Sequence, residues 1–150
     1  GLGENMMSGI IHVKGNTSQS AGATAHGGTI IIDGDASSRC GISMKGVDII
    51  VKGSVGHMSA FMAQAGTLMI CGDAGDALGD SIYETVIYLA GKPKSLGIDC
   101  IEKKVTKNDL KKIENLIKTG NIKKLKPHNF KKFGSARKLY NFNIDNVSNY

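Results

Sequence analysis

The fold is decided by residues 15–90, which divide into four units: GNTSQSAGATAHGGTIIID (15–33), GDASSRCGISMKGVDIIVK (34–52), GSVGHMSAFMAQAGTLMIC (53–71) and GDAGDALGDSIYETVIYLA (72–90). Each unit has 19 residues and begins with a glycine, and Gly91 continues the series. A second glycine follows seven residues later as Gly22, Gly41 and Gly79, whereas Ala60 takes that place in the third unit. A fixed period of this kind is typical of a solenoid, in which each unit stacks on the next.

Each unit is too short for a helical hairpin and contains a short apolar segment that is mostly β-branched, as strands are. Alternate strand positions face one side, so we predict that two aliphatic columns fill the interior. These columns are Ile11, Ile30, Ile49, Leu68 and Ile87, and Val13, Ile32, Val51, Ile70 and Leu89. A third apolar column contains Met6, Ala25, Met44, Ala63 and Ile82. The pattern predicts an all-β solenoid, a parallel β-helix with 19-residue coils whose glycines permit the corners.

One further column should point outward, yet it is mostly apolar. It contains His12, Ile31, Ile50, Met69 and Tyr88. A continuous apolar stripe on an outer face usually marks a surface that something covers. Two coverings remain open from the sequence: the C-terminal helix of the same chain, or a partner subunit.

The repeat pattern fades after Leu89, and Pro93 with the loss of the later glycine is predicted to end the solenoid. A helix is predicted to follow, because Thr106 and Asp109 form a capping box. Its apolar stripe is Leu110, Ile113, Leu116 and Ile117, and Gly120 is predicted to end it. With a single apolar stripe, the helix must dock on something.

Charge divides the chain near Cys100. Residues 1–100 hold six Lys/Arg and nine Asp/Glu, whereas residues 101–150 hold thirteen and four. We therefore predict a β-helix over 1–100, and over 101–150 a helix and basic aromatic tail that pack on the solenoid or on a partner. Aromatic and aliphatic residues interrupt the tail's lysines: Phe130, Phe133, Leu139, Tyr140 and Phe142. This favours docking on protein over nucleic-acid binding, which stays a lower alternative.

No catalytic, cofactor-binding or metal-binding residue is predicted in this chain. Asp73, Asp76 and Asp80 suggest calcium, but most acids do not recur from unit to unit. The one column that stays polar is Asn16, Asp35, Ser54 and Asp73. Such residues bond their own backbone at turns, so corner chemistry is the simpler interpretation. The four histidines share no spacing that a metal or catalytic pair needs.

The cysteines and the lack of long apolar segments indicate a cytoplasmic protein. Cys40, Cys71 and Cys100 are scattered and form no CxxC, which predicts reduced, mostly buried thiols over an Fe–S or zinc site. No membrane span or signal peptide is predicted. The sequence starts in the middle of a coil, so either an upstream coil is missing or the first coil is incomplete.

Several segments carry a family resemblance: the glycines of residues 72–79, Gly79–Glu84, Lys94–Gly97, and Phe133–Phe142 after a helix. They resemble the family formed by the C-terminal domain of the glutamate synthase α-subunit, often called the GXGXG domain. The similarity is greatest to its stand-alone form, a separate subunit in archaeal glutamate synthases and bacterial N-methylglutamate synthase-type systems. This resemblance implies a right-handed β-helix and a non-catalytic assembly subunit of an oxidoreductase complex.

The resemblance also implies the partners. Glutaminase chemistry belongs to an amidotransferase subunit, and amination of 2-oxoglutarate to a synthase subunit that has FMN and an Fe–S cluster. The β-helix would bind no cofactor and would hold these parts in the geometry that ammonia transfer needs. The component of formylmethanofuran dehydrogenase that is designated C shares the glycine repeat and is the alternative family role. A homo-oligomer is also compatible with the apolar outer stripe.

Overall fold

A computed structural model describes residues 1–137, which contain seven strands, one α-helix and a 3₁₀ turn at Pro127–Asn129. The strands are β1 (Ile10–Val13), β2 (Thr29–Ile32), β3 (Lys45–Val51), β4 (Ala65–Ile70), β5 (Val86–Leu89), β6 (Cys100–Lys103) and β7 (Lys131–Ser135). Helix α1 spans Lys107–Gly120. Within these residues no helix is both long and apolar enough to cross a bilayer.

Strands β1 to β5 stack in parallel, each paired with the next in the register of the repeat. Ile11 pairs with Ile30, Ile30 with Ile49, and Ile49 with Leu68. A second line of parallel bridges joins Thr17, Ala36, Val55 and Ala74 on another side of the coil. The prediction of a parallel β-solenoid is therefore confirmed, with about four turns.

The three predicted interior columns form one core. Ile30, Ile49 and Leu68 are fully buried, as are the third-column residues Met44 and Ile82. Burial of a side chain of this size stabilises the fold by about 1.5–3 kcal/mol. In the first coil, Met6, Ile11 and Val13 are only partly buried, because the described chain places a neighbouring coil on one side alone.

The first glycine of each unit is required by the close approach of neighbouring coils. A Cβ on Gly53 would lie 2.7 Å from the carbonyl oxygen of Gly34 and closer still to Asp35 Oδ1. Gly34, Gly72 and Gly91 meet the same obstruction one coil away. The expectation of backbone freedom is therefore wrong for these positions. It holds at the second glycine, where Gly22 has φ +73°.

Side chains at this corner bond the next coil, which also corrects the prediction of bonds within their own turns. The backbone N–H of Asp35 donates to Asn16 Oδ1 over 2.8 Å, and that of Ser54 donates to Asp35 Oδ1 over 2.8 Å. The backbone N–H of Asp73 then donates to Ser54 Oγ over 2.9 Å. We call this series the corner ladder. It joins successive coils outside the sheet.

Replacing Gly53 by Ala is expected to lower the free energy of unfolding by about 2–4 kcal/mol, because the new Cβ collides with rigid backbone and breaks the ladder. Gly15→Ala is the matched control, since a Cβ there meets nothing within 4 Å. Urea unfolding of both variants measures the difference. Equal stability of the two would contradict this account of the repeat.

The solenoid ends differently from the prediction. A fifth coil begins, with Pro93 bridging Ala74 and Leu96 bridging Leu78, so Pro93 does not stop the stacking. Strand β7 then occupies the position beside β5, and β6 pairs on the far side of β7. Both new pairings are antiparallel. Phe133 of β7 joins the interior core, so the predicted aromatic tail partly closes the solenoid's own end.

Helix α1 begins as predicted. Thr106 Oγ1 accepts from the Asp109 backbone N–H, and the Asp109 carboxylate accepts from the Thr106 backbone N–H. At the other end, Gly120 is the last helical residue, and Asn121 is the left-handed residue that ends the helix. Leu110 does not belong to the buried stripe, since 38% of it is exposed.

Candidate functional site

Helix α1 covers the apolar outer column. The cluster beneath and around the helix contains Ile31, Ile50, Met69, Tyr88, Ile113, Leu116 and Phe130. Ile50 and Met69 are fully buried there. The structure therefore selects the chain's own helix as the covering of this part of the column. The tail residues Lys138, Leu139, Tyr140 and Phe142, on which the predicted docking of the tail also depended, lie outside the described residues.

The helix is fixed to the sheet by polar contacts around Asp109. The Tyr88 hydroxyl donates to Asp109 Oδ1 over 2.5 Å, and Lys132 Nζ lies 2.9 Å from Asp109 Oδ2. Thr106 adds its backbone N–H at 2.7 Å and its hydroxyl at 2.9 Å from the same oxygen. We call these four residues the Asp109 cluster. It joins the start of α1 to β5 and to β7.

The ionisation of the Asp109 cluster follows from these contacts. Burial would raise the pKa of Asp109, but the hydrogen bonds from Tyr88, Thr106 and Lys132 lower it to about 2. Burial raises the pKa of Tyr88, and its hydrogen bond to the Asp109 carboxylate raises it further. At neutral pH the cluster therefore holds a carboxylate, an ammonium and a neutral phenol.

Beside this cluster the outer face has a hollow of about 380 Å³. We call it the β7 hollow, because it lies over Gly134, which carries no side chain. Its lining consists of Tyr83, Glu84, Thr85, Val86, Ile101, Lys103, Lys132, Gly134, Ser135, Ala136 and Arg137. The stem of Lys103 runs across Gly134, since its Cδ is 3.4 Å from the position of a Cβ there. Three cationic side chains and one carboxylate thus surround the hollow.

Arg137 forms one wall of the β7 hollow. Its guanidinium carbon lies 4.6 Å from the centre of the Tyr83 ring, a cation–π distance. Its Nη2 donates to the carbonyl oxygen of Ile82 over 3.3 Å. Its Nε lies 3.5 Å from Asp99 Oδ2, too poorly placed for a hydrogen bond. The guanidinium is therefore held in place while Nε–H remains unpaired within residues 1–137.

The acids and histidines singled out in the sequence do not assemble into a metal site. Across residues 1–137, no group of three or more His, Cys, Asp or Glu side chains is placed to hold a metal ion. Asp73 belongs to the corner ladder, while Asp80 accepts from the Ser81 hydroxyl over 2.8 Å. His12 Nε2 lies 2.9 Å from Asp33 Oδ1, a contact that the sequence analysis missed.

The cysteines are free thiols, as predicted, and Cys40 and Cys100 are buried. Burial raises the pKa of Cys40 to about 12 and that of Cys100 to about 11. Burial also raises the pKa of Cys71 to about 11, although Lys52 acts in the opposite direction. Thiolates are the nucleophilic and metal-binding form, so these thiols are held in the inert form at neutral pH.

Sequence reasoning found Thr106 and Asp109 as a helix cap but missed their partners. Tyr88 was placed on the outer column, and the need of a buried tyrosine hydroxyl for a hydrogen-bond partner was the signal that pointed to an acid. Lys132 and Arg137 looked like members of a uniform basic tail. Only the antiparallel position of β7 brings them to one surface.

The geometry defines a parallel β-solenoid whose outer face is covered by its own helix and whose end is closed by an antiparallel strand. A sequence model of the family described as "GXGXG motif" matches residues 3–145. The chain therefore belongs to the GXGXG family and is glutamate synthase-related, which confirms the resemblance.

One curated relative is similar over much of the chain. Protein GlxC from Rhizobium meliloti (strain 1021) is 61% identical over 95 residues, or 63% of this chain and 42% of GlxC. The chain thus spans less than half the length of this relative. No solved structure matches the chain.

Proposed function

We propose that this chain is a non-catalytic assembly subunit of a glutamate synthase-like oxidoreductase. Its partners are an amidotransferase subunit and a synthase subunit that has FMN and an Fe–S cluster. The chain holds these two in the geometry that ammonia transfer between them requires. The observation that carries the proposal is the GXGXG family match over residues 3–145, together with 61% identity to GlxC over 95 residues.

The rigidity of the solenoid supports this role. Coils are joined by the parallel sheet, by a second line of bridges and by the corner ladder. The interior is filled by aliphatic side chains that are almost all fully buried. Such an element keeps its surface positions fixed relative to one another, as an assembly subunit needs.

The basic surface of the C-terminal part supports contact with other subunits. Exposed lysines lie on α1 and on the segment that follows it: Lys107, Lys111, Lys118, Lys123, Lys124 and Lys126. Lysine stems can cover apolar partner surface while the ammonium groups remain in water or meet acidic groups. On this proposal the chain works in the cytoplasm, in glutamate biosynthesis and nitrogen metabolism, and its three free thiols fit a reducing compartment.

Mild affinity purification of the native protein tests the proposal, followed by mass spectrometry and a visible spectrum of the eluted complex. We expect an amidotransferase chain and a second chain with flavin and Fe–S absorbance, in constant ratio to this chain. Elution together with a molybdenum or tungsten pterin enzyme would replace the proposal by the formylmethanofuran dehydrogenase alternative. A colourless chain that elutes alone would contradict both.

A further inference from the structure

The β7 hollow contains two buried polar atoms that have no hydrogen-bond partner among residues 1–137. They are Thr85 Oγ1 and Arg137 Nε, and both residues line the hollow. Thr85 is only 1% exposed. A buried unpaired polar atom is costly and rare in native structures, so each one needs an explanation such as a ligand, an ion or a water.

The chemistry of these two atoms restricts the missing partner. Arg137 Nε–H is a donor only, and the Thr85 hydroxyl can donate or accept. A group that satisfies both must therefore offer acceptor oxygens. The charges nearby favour an anion, since Lys103, Lys132 and Arg137 line the hollow against the single carboxylate of Glu84.

These cations are not equally available. Lys132 is already paired with Asp109, and Arg137 lies near Asp99. Lys103 forms no ion pair within the described part of the chain, and its stem crosses Gly134 so that Nζ is 3.8 Å from the position of a Cβ there. Lys103 is therefore the charge that can turn fully to a ligand.

We propose that the β7 hollow binds a small oxyanion, a molecule with a carboxylate or phosphate group. The anion lies over Gly134, takes its main charge contact from Lys103, and satisfies the unpaired polar atoms of Thr85 and Arg137 at the wall. Gly134 is needed because any larger side chain would fill this space. The site is independent of the proposed assembly role.

The chain offers an internal control for this proposal. A second hollow of about 470 Å³ is lined by Ser54, Val55, Asp73, Ala74, Gly75, Lys92, Pro93 and Lys94. It also has two lysines and one carboxylate, but none of its lining residues has an unpaired buried polar atom. Non-specific attraction of anions to lysine would affect both hollows, whereas a built site would affect only the β7 hollow.

Titration of the full ¹⁵N-labelled chain with acetate and with inorganic phosphate, at constant ionic strength, tests the proposal. We expect saturable shifts at the amides of Ser135, Ala136 and Arg137, and none at Ala74 and Gly75. The anion with the lower Kd identifies the ligand class as carboxylate or phosphate. Shifts that do not saturate for either anion, or that are equal at the two hollows, would overturn the proposal.

Two variants separate binding from folding. Gly134→Val is expected to fold, because a Cβ there meets only the Lys103 stem at ordinary contact distance, and to abolish the saturable shifts. Thr85→Val is expected to raise the Tm without anion, since it removes an unpaired hydroxyl, and to weaken binding about tenfold. A Thr85→Val variant that is less stable without anion and binds it unchanged would contradict the assignment.

Discussion

Replacing Met69 by Lys is expected to release helix α1 from the solenoid, at a cost of about 4 kcal/mol or more. Met69 is fully buried between the sheet and the helix, in the middle of the outer column. The variant loses this apolar contact and places an ammonium group where no acid is available. Because the interior core lies on the other side of the sheet, we expect the solenoid coils to stay folded.

Hydrogen exchange measures this release directly. The amides of α1 should exchange at the rate of local opening, while those of β2 to β4 stay protected. Met69→Leu keeps the volume and is expected to cost less than about 1.5 kcal/mol. Met7→Lys makes the same chemical change at a residue that is 69% exposed, and should have an effect within about 0.5 kcal/mol. Full protection of α1 in Met69→Lys would show that the column does not hold the helix.

Replacing Asp109 by Asn is expected to lower the free energy of unfolding by about 3 kcal/mol. The carboxylate, only 7% exposed, accepts hydrogen bonds from Tyr88, Thr106 and Lys132. Loss of its charge leaves a mostly buried ammonium without its partner. Glu114→Gln is the matched control, because its pair with Lys118 is exposed and contributes little.

The same carboxylate gives a pH dependence with a definite sign. The pKa of Asp109 falls from 3.8 to about 2 on folding, so its contribution is fully present above about pH 4 and is lost as the pH falls through 2. The shift corresponds to about 2 kcal/mol. Urea unfolding at a series of values from about pH 5 to about pH 2 should show this extra loss in the native chain relative to Asp109→Asn. Parallel pH profiles of the two proteins would contradict the assignment.

The solenoid was predictable because its information is local and repeated. Ile30, Ile49 and Leu68 recur with one spacing, so a single correct register places all of them in the core. The capping box of α1 was predictable for the same reason, since Thr106 and Asp109 are three residues apart. The apolar outer column correctly predicted a covering element.

The parts that escaped prediction depend on contacts between distant residues. Strand β7 has no repeat partner, and only its pairing with β5 and β6 places Phe133 in the core. The obstruction at Gly53 comes from the coil before it, which composition does not reveal. The β7 hollow likewise requires Lys103 and Arg137 to meet across two strands.

Reconstitution of the complex tests the proposed assembly role most directly. The amidotransferase and synthase subunits recovered with this chain are assayed with and without it, using glutamine or free ammonia as the nitrogen source. We expect omission of the chain to abolish most glutamine-dependent amination while ammonia-dependent amination by the synthase subunit continues. An unchanged glutamine-dependent rate without the chain would contradict its role in holding the two subunits for ammonia transfer.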